Sequence, residues 1–140
     1  MKKTLLLLSL LLISGCLSKT NGEPYATMNN ETIKLEIAET NYERNIGLSS
    51  HYTLSLDWGM IFLFENYGEQ RFYMKGMRFP IDIIWIDENF TVTRVLNNAQ
   101  PCTNGCETYS GFAKYVLEVN SGIAGMLNIT KGSKIGLFNV

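Results

Sequence analysis

The chain has 140 residues, 46% of them hydrophobic, and a formal net charge of −1 at pH 7. A chain of this length suits a single domain with its own core. Because Lys and Arg form no cluster in the sequence, there is no electrostatic surface for nucleic acid, and we expect no nucleic-acid partner.

Residues 1–15 have the order of a secretory signal peptide. Lys2 and Lys3 precede an almost unbroken apolar run from Leu5 to Ile13, which is the basic-then-apolar arrangement of such signals. The run has about half of the roughly 20 residues that a membrane-spanning helix needs. We therefore predict that this leader is cleaved from the mature protein.

The segment "ISGC" at residues 13–16 resembles the lipobox of prokaryotic lipoproteins. In those proteins the Cys thiol receives a diacylglyceryl group, and the leader is cut just before it. Two acyl chains anchor a protein stably, whereas one chain binds a membrane only marginally. The alternative is an ordinary signal peptide with a chance Cys. We expect Cys16 to be lipidated and to hold the protein at the outer face of the cytoplasmic membrane or of another envelope membrane.

Residues 16–31 are polar and rich in turn-forming residues. This composition predicts a flexible tether that follows the lipidated Cys. The remaining residues, 32–140, are predicted to form one domain.

A strand and a short helix are predicted at the start of this domain. The apolar residues that alternate with charged ones in the strand are Ile33, Leu35 and Ile37. Such alternation is typical of a half-buried strand. Thr40 and Glu43 have the spacing of a capping box, and Gly47 can end a helix of two turns at most.

From residue 60 onwards, short apolar segments separated by turn residues predict a series of closely spaced strands. The segments are GMIFLFE, QRFYMKGM, IDIIWID, FTVTRVLNNA, FAKYVLEV and KIGLF, with NYGE and DEN as turns and a helical turn in SGIAGMLNI. This pattern predicts a mainly β fold, either a single antiparallel sandwich or a rolled half-barrel, with one or two short helices.

Pro80 lies in the middle of the dense segment FYMKGMRFPIDIIWID. Because proline cannot donate a hydrogen bond to a sheet ladder, Pro80 marks a corner. We expect adjacent strands over residues 71–77 and 81–86 on its two sides. Within these two strands we expect three side chains to be largely buried: Phe72, Ile83 and Trp85.

Cys102 and Cys106 remain as an even pair if Cys16 carries the lipid. They lie in PCTNGC, whose Pro, Asn and Gly favour a tight loop, and surroundings beyond the membrane usually permit disulfides. A redox-active pair, half of a metal site and two free thiols are the alternatives. Because the spacing differs from a thioredoxin-type motif and no His is near, we expect a structural disulfide.

Four segments of the domain resemble successive blocks of the DUF192 family, a domain of unknown function. They are RNIGLS, GMIFLF, FYMKGMRFPIDIIWID and YVLEVNSG, and they follow the family's order over about residues 32–140. Ser49 stands where the family often has Met, and Gly76-Met77 replace the usual Asn-Thr. The resemblance implies a small β-rich domain, commonly secreted or lipid-anchored, without an established activity.

The charged residues inside these family-like blocks are Arg44, Lys75, Asp82 and Glu118. Together they can form a site for a polar ligand such as a sugar, a peptide or an anion. Alternatively they hold strands together, since a buried Asp82 needs a cation or backbone N–H groups to stay ionised. We favour the structural role and expect Asp82 to point away from its apolar neighbours.

No motif of a known catalytic or metal site occurs in the sequence. Met60, Met74 and Met77 are expected to fill the core rather than to bind a metal. His51, the only histidine, has no obvious nucleophile beside it. We therefore expect no metal, no cofactor and no catalytic activity.

These observations favour a monomeric, non-catalytic binding or adaptor lipoprotein whose partner is an envelope protein or polysaccharide. The first alternative is a module that binds carbohydrate or an envelope polymer. Its candidate aromatic side chains are Trp58, Tyr67, Tyr73 and Tyr109. The second alternative is a hydrolytic enzyme, which requires a concave pocket holding two carboxyl groups with raised pKa values.

Overall fold

The structure is a computed structural model, and it describes residues 22–140. The predicted signal peptide, the lipidation site Cys16 and the first part of the predicted tether lie outside the described residues. Within residues 22–140, no helix is both long enough and apolar enough to cross a membrane.

The described residues form one curled sheet with two short helices. In chain order the elements are β1 (Tyr25–Met28), β2 (Glu31–Ala38), α1 (Asn41–Ile46), a 3₁₀ turn (Gly47–Ser50), β3 (Trp58–Tyr73), β4 (Ile81–Ile86), β5 (Val92–Ala99), β6 (Thr108–Asn120), α2 (Ile123–Met126) and β7 (Gly136–Phe138). The strand order is β5-β4-β6-β3-β2-β1-β7. The predicted β fold is confirmed as a half-barrel, although β2 and β3 pair in parallel.

The predicted start of the domain is confirmed in its local detail. The Thr40 hydroxyl accepts the N–H of Glu43 at 3.2 Å, and the Glu43 carboxylate accepts the N–H of Thr40 at 2.9 Å. This reciprocal capping box starts α1. Gly47 ends it with a φ of 48°, a conformation that glycine adopts without strain.

The predicted tether over residues 16–31 is too long, because strand β1 lies within it. Residues Tyr25–Met28 pair antiparallel with both β2 and β7, and Ala26 and Met28 are completely buried. The folded domain therefore begins near residue 25 rather than at residue 32. The strand escaped prediction because only two of its four side chains face the core, which is too short a pattern to recognise.

The turn predicted at NYGE is also wrong, because this segment continues strand β3. β3 runs without interruption from Trp58 to Tyr73. Its register against β6 shifts between Leu63 and Gly68, so the extra residues are absorbed as an irregularity within the ladder. The 13-residue strand β6 pairs with both halves of β3 and keeps them in one strand.

The corner at Pro80 joins strands that are not neighbours. β6 lies between β3 and β4 in the sheet, so the predicted adjacency of residues 71–77 and 81–86 is wrong. β4 itself is confirmed, and Ile83 and Trp85 are completely buried. Phe72 is only half-buried, because it lies near the end of β3.

Both faces of the sheet are packed. β4 shows this directly, since Ile84 and Ile86 belong to one buried cluster while Ile83 and Trp85 belong to the other. We call the face that packs on Ile123 of α2 the α2 face. We call the opposite face, which packs on Leu48 after α1, the α1 face.

Candidate functional site

A pocket of about 240 Å³ lies on the α1 face. Its lining comes from α1, from the 3₁₀ turn, from both halves of β3 with the segment after it, and from Glu118 of β6. The apolar side chains in the lining are Ile46, Leu48, Phe62, Phe64, Phe72 and Met77. Because a cavity of about 150 Å³ holds a benzene ring, this Glu118 pocket has room for one substituted ring.

The position of Glu118 follows from strand register. Glu118 lies opposite Met60 of β3 on one side and opposite Ile83 of β4 on the other. Its own neighbours in β6, Leu117 and Val119, face the α2 face. The carboxyl group therefore stands on an apolar part of the sheet, where the residue is 6% exposed.

Burial raises the pKa of Glu118 to about 8. In the described part of the chain, no side-chain hydrogen bond or ion pair engages this carboxyl group, and no buried side-chain oxygen or nitrogen lacks a partner. The carboxyl oxygens must therefore reach the open space of the pocket. At neutral pH Glu118 is mostly protonated, so its O–H can donate a hydrogen bond.

Arg44, one of the residues predicted from the sequence, lines the pocket and joins α1 to β3. Its guanidinium donates to the carbonyl of Leu63 at 2.8 Å, to the side chain of Asn41 at 2.6 Å, and also to the carbonyl of Glu39. It also lies 5.2 Å from the centre of the Phe64 ring. These contacts show a structural role for Arg44 and use three of its five N–H donors.

Two further cations line the pocket, and both are exposed. Arg71 makes an ion pair with Glu69 at 2.9 Å. Lys75 was predicted from the sequence, and within residues 22–140 its ammonium group makes no side-chain hydrogen bond or ion pair. Lys75 is therefore the cation most available to a ligand at the solvent-exposed opening of the pocket, which we call its mouth.

The backbone around Lys75 is held by the cysteine loop. Cys102 donates its N–H to the carbonyl of Met74 at 3.1 Å, and its carbonyl accepts the N–H of Gly76 at 3.3 Å. Cys102 and Cys106 form the predicted disulfide, with their Cα atoms 5.7 Å apart. The disulfide thus stiffens the loop that is hydrogen-bonded to the backbone on both sides of Lys75.

Asp82, the fourth charged residue predicted from the sequence, lies apart from the pocket and is completely buried. Its carboxylate accepts the N–H of Asn98 at 2.8 Å and those of Gly122 and Ala124 at 2.9 Å each. Between Ile81 and Ile83 the ladder to β5 contains an extra residue on the β5 side. Such a bulge frees backbone groups, and Asp82 satisfies one of them.

The structure therefore divides the predicted charged set. Arg44, Lys75 and Glu118 are brought together in the pocket, while the predicted pairing of Asp82 with backbone N–H groups is confirmed. The sequence did not point to Arg71 or Phe64, because neither lies in a pattern that distinguishes it from other strand residues. The sequence feature that pointed to Glu118 is the presence of an acidic residue within the apolar run YVLEV.

The methionines and the histidine have structural surroundings. Met60 and Met74 are buried in the α1-face core, as predicted, and Met77 lines the pocket. The His51 ring lies 3.0 Å from the carboxylate of Glu36. Residues 22–140 contain no group of three His, Cys, Asp or Glu side chains placed to hold a metal ion.

The four candidate aromatic side chains do not form a common platform. Tyr73 lines the Glu118 pocket, Trp58 lies 5.8 Å from the ammonium of Lys34, and Tyr109 packs against the α1-face core. Tyr67 lies on a separate open groove of about 910 Å³ together with Phe112. The centres of these two rings are 6.1 Å apart.

Solved structures that share this fold include the following two. A protein of unknown function from Novosphingobium aromaticivorans DSM 12444 is 29% identical, with a TM-score of 0.72 over 81% of this chain and 83% of that chain. A Sinorhizobium meliloti 1021 protein, named provisionally as a transcription regulator, is 22% identical, with a TM-score of 0.74 over 84% and 94% of the two chains. No curated protein matches. The sequence profile of DUF192, described as "Uncharacterized ACR", matches residues 25–137.

Proposed function

The chain belongs to the DUF192 family, and we propose that its domain binds a small ligand in the Glu118 pocket without catalysing a reaction. The observation that carries this proposal is the buried carboxyl group that opens into the pocket without a partner from residues 22–140. A hydrogen bond that replaces one made with solvent contributes about 0.5–1.5 kcal/mol net. A ligand that accepts from Glu118 gains this contribution while its apolar part is buried against the lining.

The surroundings of Glu118 favour binding over hydrolysis. A side-chain nucleophile needs a general base within hydrogen-bond reach to activate it. The cross-strand neighbours of Glu118 are Met60 and Ile83, which cannot fill that role. The other buried carboxylate, Asp82, is saturated by backbone donors.

The proposed cellular setting is the outer face of an envelope membrane, with lipidated Cys16 as the anchor and a monomeric domain beside it. Eight residues, 17–24, separate Cys16 from β1. Fully extended, they span at most about 28 Å. The pocket would then sample solutes or envelope components close to the membrane surface.

Lipidation is tested with Cys16→Ser. The wild-type chain is expected in the membrane fraction, with a diacylglyceryl group on its N-terminal Cys by mass spectrometry. The variant is expected to be unprocessed or released. An unmodified N-terminus on membrane-bound wild type would refute the anchor.

The pocket is tested by native mass spectrometry of the full chain after incubation with a small-molecule extract of the cell envelope. Met77→Trp places a larger side chain in the lining and should abolish the adduct. Phe112→Ala, on the separate groove, is the matched control and should keep it. No adduct on wild type, or an equal adduct on Met77→Trp, would contradict binding in this pocket.

A second candidate function, binding of an envelope polysaccharide, is favoured by the Tyr67–Phe112 groove. Tyr67 is 46% exposed and Phe112 is 57% exposed, so both rings can stack on sugar rings. The hydroxyl and amide side chains in the lining are Thr91, Thr93, Asn97 and Thr130. On this view Phe112→Ala, but not Met77→Trp, should abolish sedimentation of the protein with insoluble envelope polysaccharide.

A further inference from the structure

We propose that the Glu118 pocket takes a small organic anion with three parts: an anionic group at the mouth, an apolar body the size of one ring, and an uncharged hydrogen-bond acceptor at the floor. This inference rests on the proposed binding function and adds the chemical class of the ligand. Each of the three parts follows from a different portion of the lining.

The floor requires an acceptor. Glu118 is buried on an apolar face, and burial favours the protonated acid at neutral pH. A protonated carboxyl group donates one hydrogen bond. A ketone, ester or amide oxygen of the ligand can accept it, whereas an ion pair with a cationic ligand group would require Glu118 to release its proton to solvent first.

The mouth favours an anion. Arg44, Arg71 and Lys75 line the pocket, and with Glu118 protonated no lining residue is negatively charged. Arg44 and Arg71 have partners within the domain, so Lys75 is the principal contact that we assign to the ligand. Complementary charge of this kind selects among ligands and guides them to the pocket.

Apolar groups surround the space between the floor and the mouth. Phe62 and Phe72 meet edge to face, with ring centres 5.0 Å apart, and Phe64 and Met77 are among the other apolar residues of the lining. Such side chains bury an apolar ligand body and exclude water from the hydrogen bond at the floor. The volume of about 240 Å³ limits that body to about one ring.

The remaining charged groups near Glu118 do not reverse this assignment. In the row across the sheet, Met60 separates Glu118 from Glu36, and the carboxylate of Glu36 is occupied by His51. On the other side the row continues through apolar residues, Ile83 and Leu96. Besides Glu118 and the three cations, the lining contains one phenol, that of Tyr73, which lies at the exposed end of β3.

Three matched probes test the ligand class by isothermal titration calorimetry on the full chain in a non-ionic detergent. 4-Acetylbenzoate carries the anion and the acceptor, 4-ethylbenzoate lacks the acceptor, and 4-acetylbenzylamine replaces the anion by a cation. At pH 6.5 we expect 4-acetylbenzoate to bind at least tenfold more tightly than either of the others. Lys75→Met should weaken it about tenfold, and Lys131→Met, on the other groove, should leave it unchanged.

The pH dependence tests the role of Glu118. As pH rises from 6.5 to 9, Glu118 loses its proton and then repels the acceptor, so 4-acetylbenzoate should bind wild type at least tenfold more weakly. Glu118→Gln keeps a donor that does not titrate and should show no such loss. Glu118→Leu removes the donor and should bind weakly at every pH, which also tests the role if the Gln variant does not fold.

The outcomes separate this inference from the binding function. Preferential binding of 4-acetylbenzylamine, abolished by Met77→Trp, would overturn the anionic ligand while supporting the pocket. Binding of 4-acetylbenzoate with the same pH dependence in wild type and Glu118→Gln would overturn the donor at the floor. Absence of binding by all three probes would also overturn the ligand class, whereas an envelope-extract adduct lost in Met77→Trp would still support the pocket.

Discussion

Asp82 and Glu118 are both buried carboxyl residues on neighbouring strands, yet they have opposite surroundings. Asp82 belongs to β4 and accepts three backbone N–H groups. Glu118 belongs to β6, lies on the α1 face and meets no donor from the described chain. The two residues are almost opposite each other in the β4–β6 ladder, where Asp82 pairs with Val119 and Ile83 pairs with Glu118.

The comparison shows how a structural acid differs from one that we propose to bind a ligand. Three charge-assisted hydrogen bonds offset the desolvation of Asp82, and they connect β4 to the bulge of β5 and to the start of α2. Glu118 has no such compensation, so its burial opposes ionisation and holds the group ready to donate. Burial alone therefore does not distinguish the two roles, whereas the supply of donors does.

The largest expected effect is that of Asp82→Ala. Three backbone N–H groups would lose their acceptor, and at about 1–3 kcal/mol for each buried unsatisfied group we expect a loss of about 5 kcal/mol in the free energy of unfolding. Urea denaturation followed by circular dichroism measures it. Asp82→Asn keeps one carbonyl acceptor and should lose less. Equal stability of Asp82→Ala and wild type would remove the contrast between the two acids.

The next effect concerns Glu118 and pH. The pKa rises from 4.5 to about 8 on folding, so the folded state binds the proton more tightly than the unfolded state. Its contribution to stability is complete below pH 4.5 and is lost as pH rises towards 8. At about 1.4 kcal/mol per pKa unit, the loss between pH 4.5 and 7 is about 3 kcal/mol.

Glu118→Gln isolates this contribution, because the amide has a similar shape and does not titrate. The free energy of unfolding of wild type minus that of the variant, measured by urea denaturation at several pH values, should fall by about 3 kcal/mol from pH 4.5 to 7. A difference that stays constant over this range would show that Glu118 is ionised in the folded protein. Glu118 would then resemble Asp82.

Opening the disulfide should have a smaller effect. A ring closed between Cys102 and Cys106 contributes about 2 kcal/mol at most, because loop-closure entropy is small for short loops. Cys102→Ala with Cys106→Ala should therefore lower the free energy of unfolding by up to this amount. Because the loop holds the backbone around Lys75, the affinity for 4-acetylbenzoate should fall two- to threefold. Unchanged affinity would show that the mouth keeps its shape without the disulfide.

The sequence predicts local elements of this fold better than their arrangement. The alternation in β2 and the Thr40–Glu43 capping box involve neighbours along the chain, so short patterns reveal them. The insertion of β6 between β3 and β4 depends on pairs such as Met60 with Glu118, which are far apart in sequence. The same long-range pairing overrides the turn residues at Tyr67 and Gly68.

The two acids show the corresponding limit for the site. Asp82 in IDIIWI and Glu118 in YVLEV are both acids in apolar runs, and nothing in these runs separates them. The donors of Asp82 come from a bulge at Asn98 and a turn at Gly122, which only tertiary structure brings to β4. The sequence could therefore select the charged residues but could not assign a role to each.

The smallest expected effect is that of Thr40→Ala, which weakens the α1 side of the pocket and leaves the Asp82 side intact. No residue of α1 is buried, so the helix depends on its capping box and on the contacts of Arg44. Loss of an N-cap hydroxyl costs about 1 kcal/mol, and here it should appear as fraying of α1. Hydrogen exchange followed by NMR should show faster exchange of α1 amides, while the N–H of Ala124, bonded to Asp82, stays protected. Thr40→Ser, which keeps the hydroxyl, should restore slow exchange. Equally faster exchange at the α1 amides and at the N–H of Ala124 would mean that the α1 side and the Asp82 side unfold together. Asp82 and Glu118 would then belong to one cooperative unit despite their different surroundings.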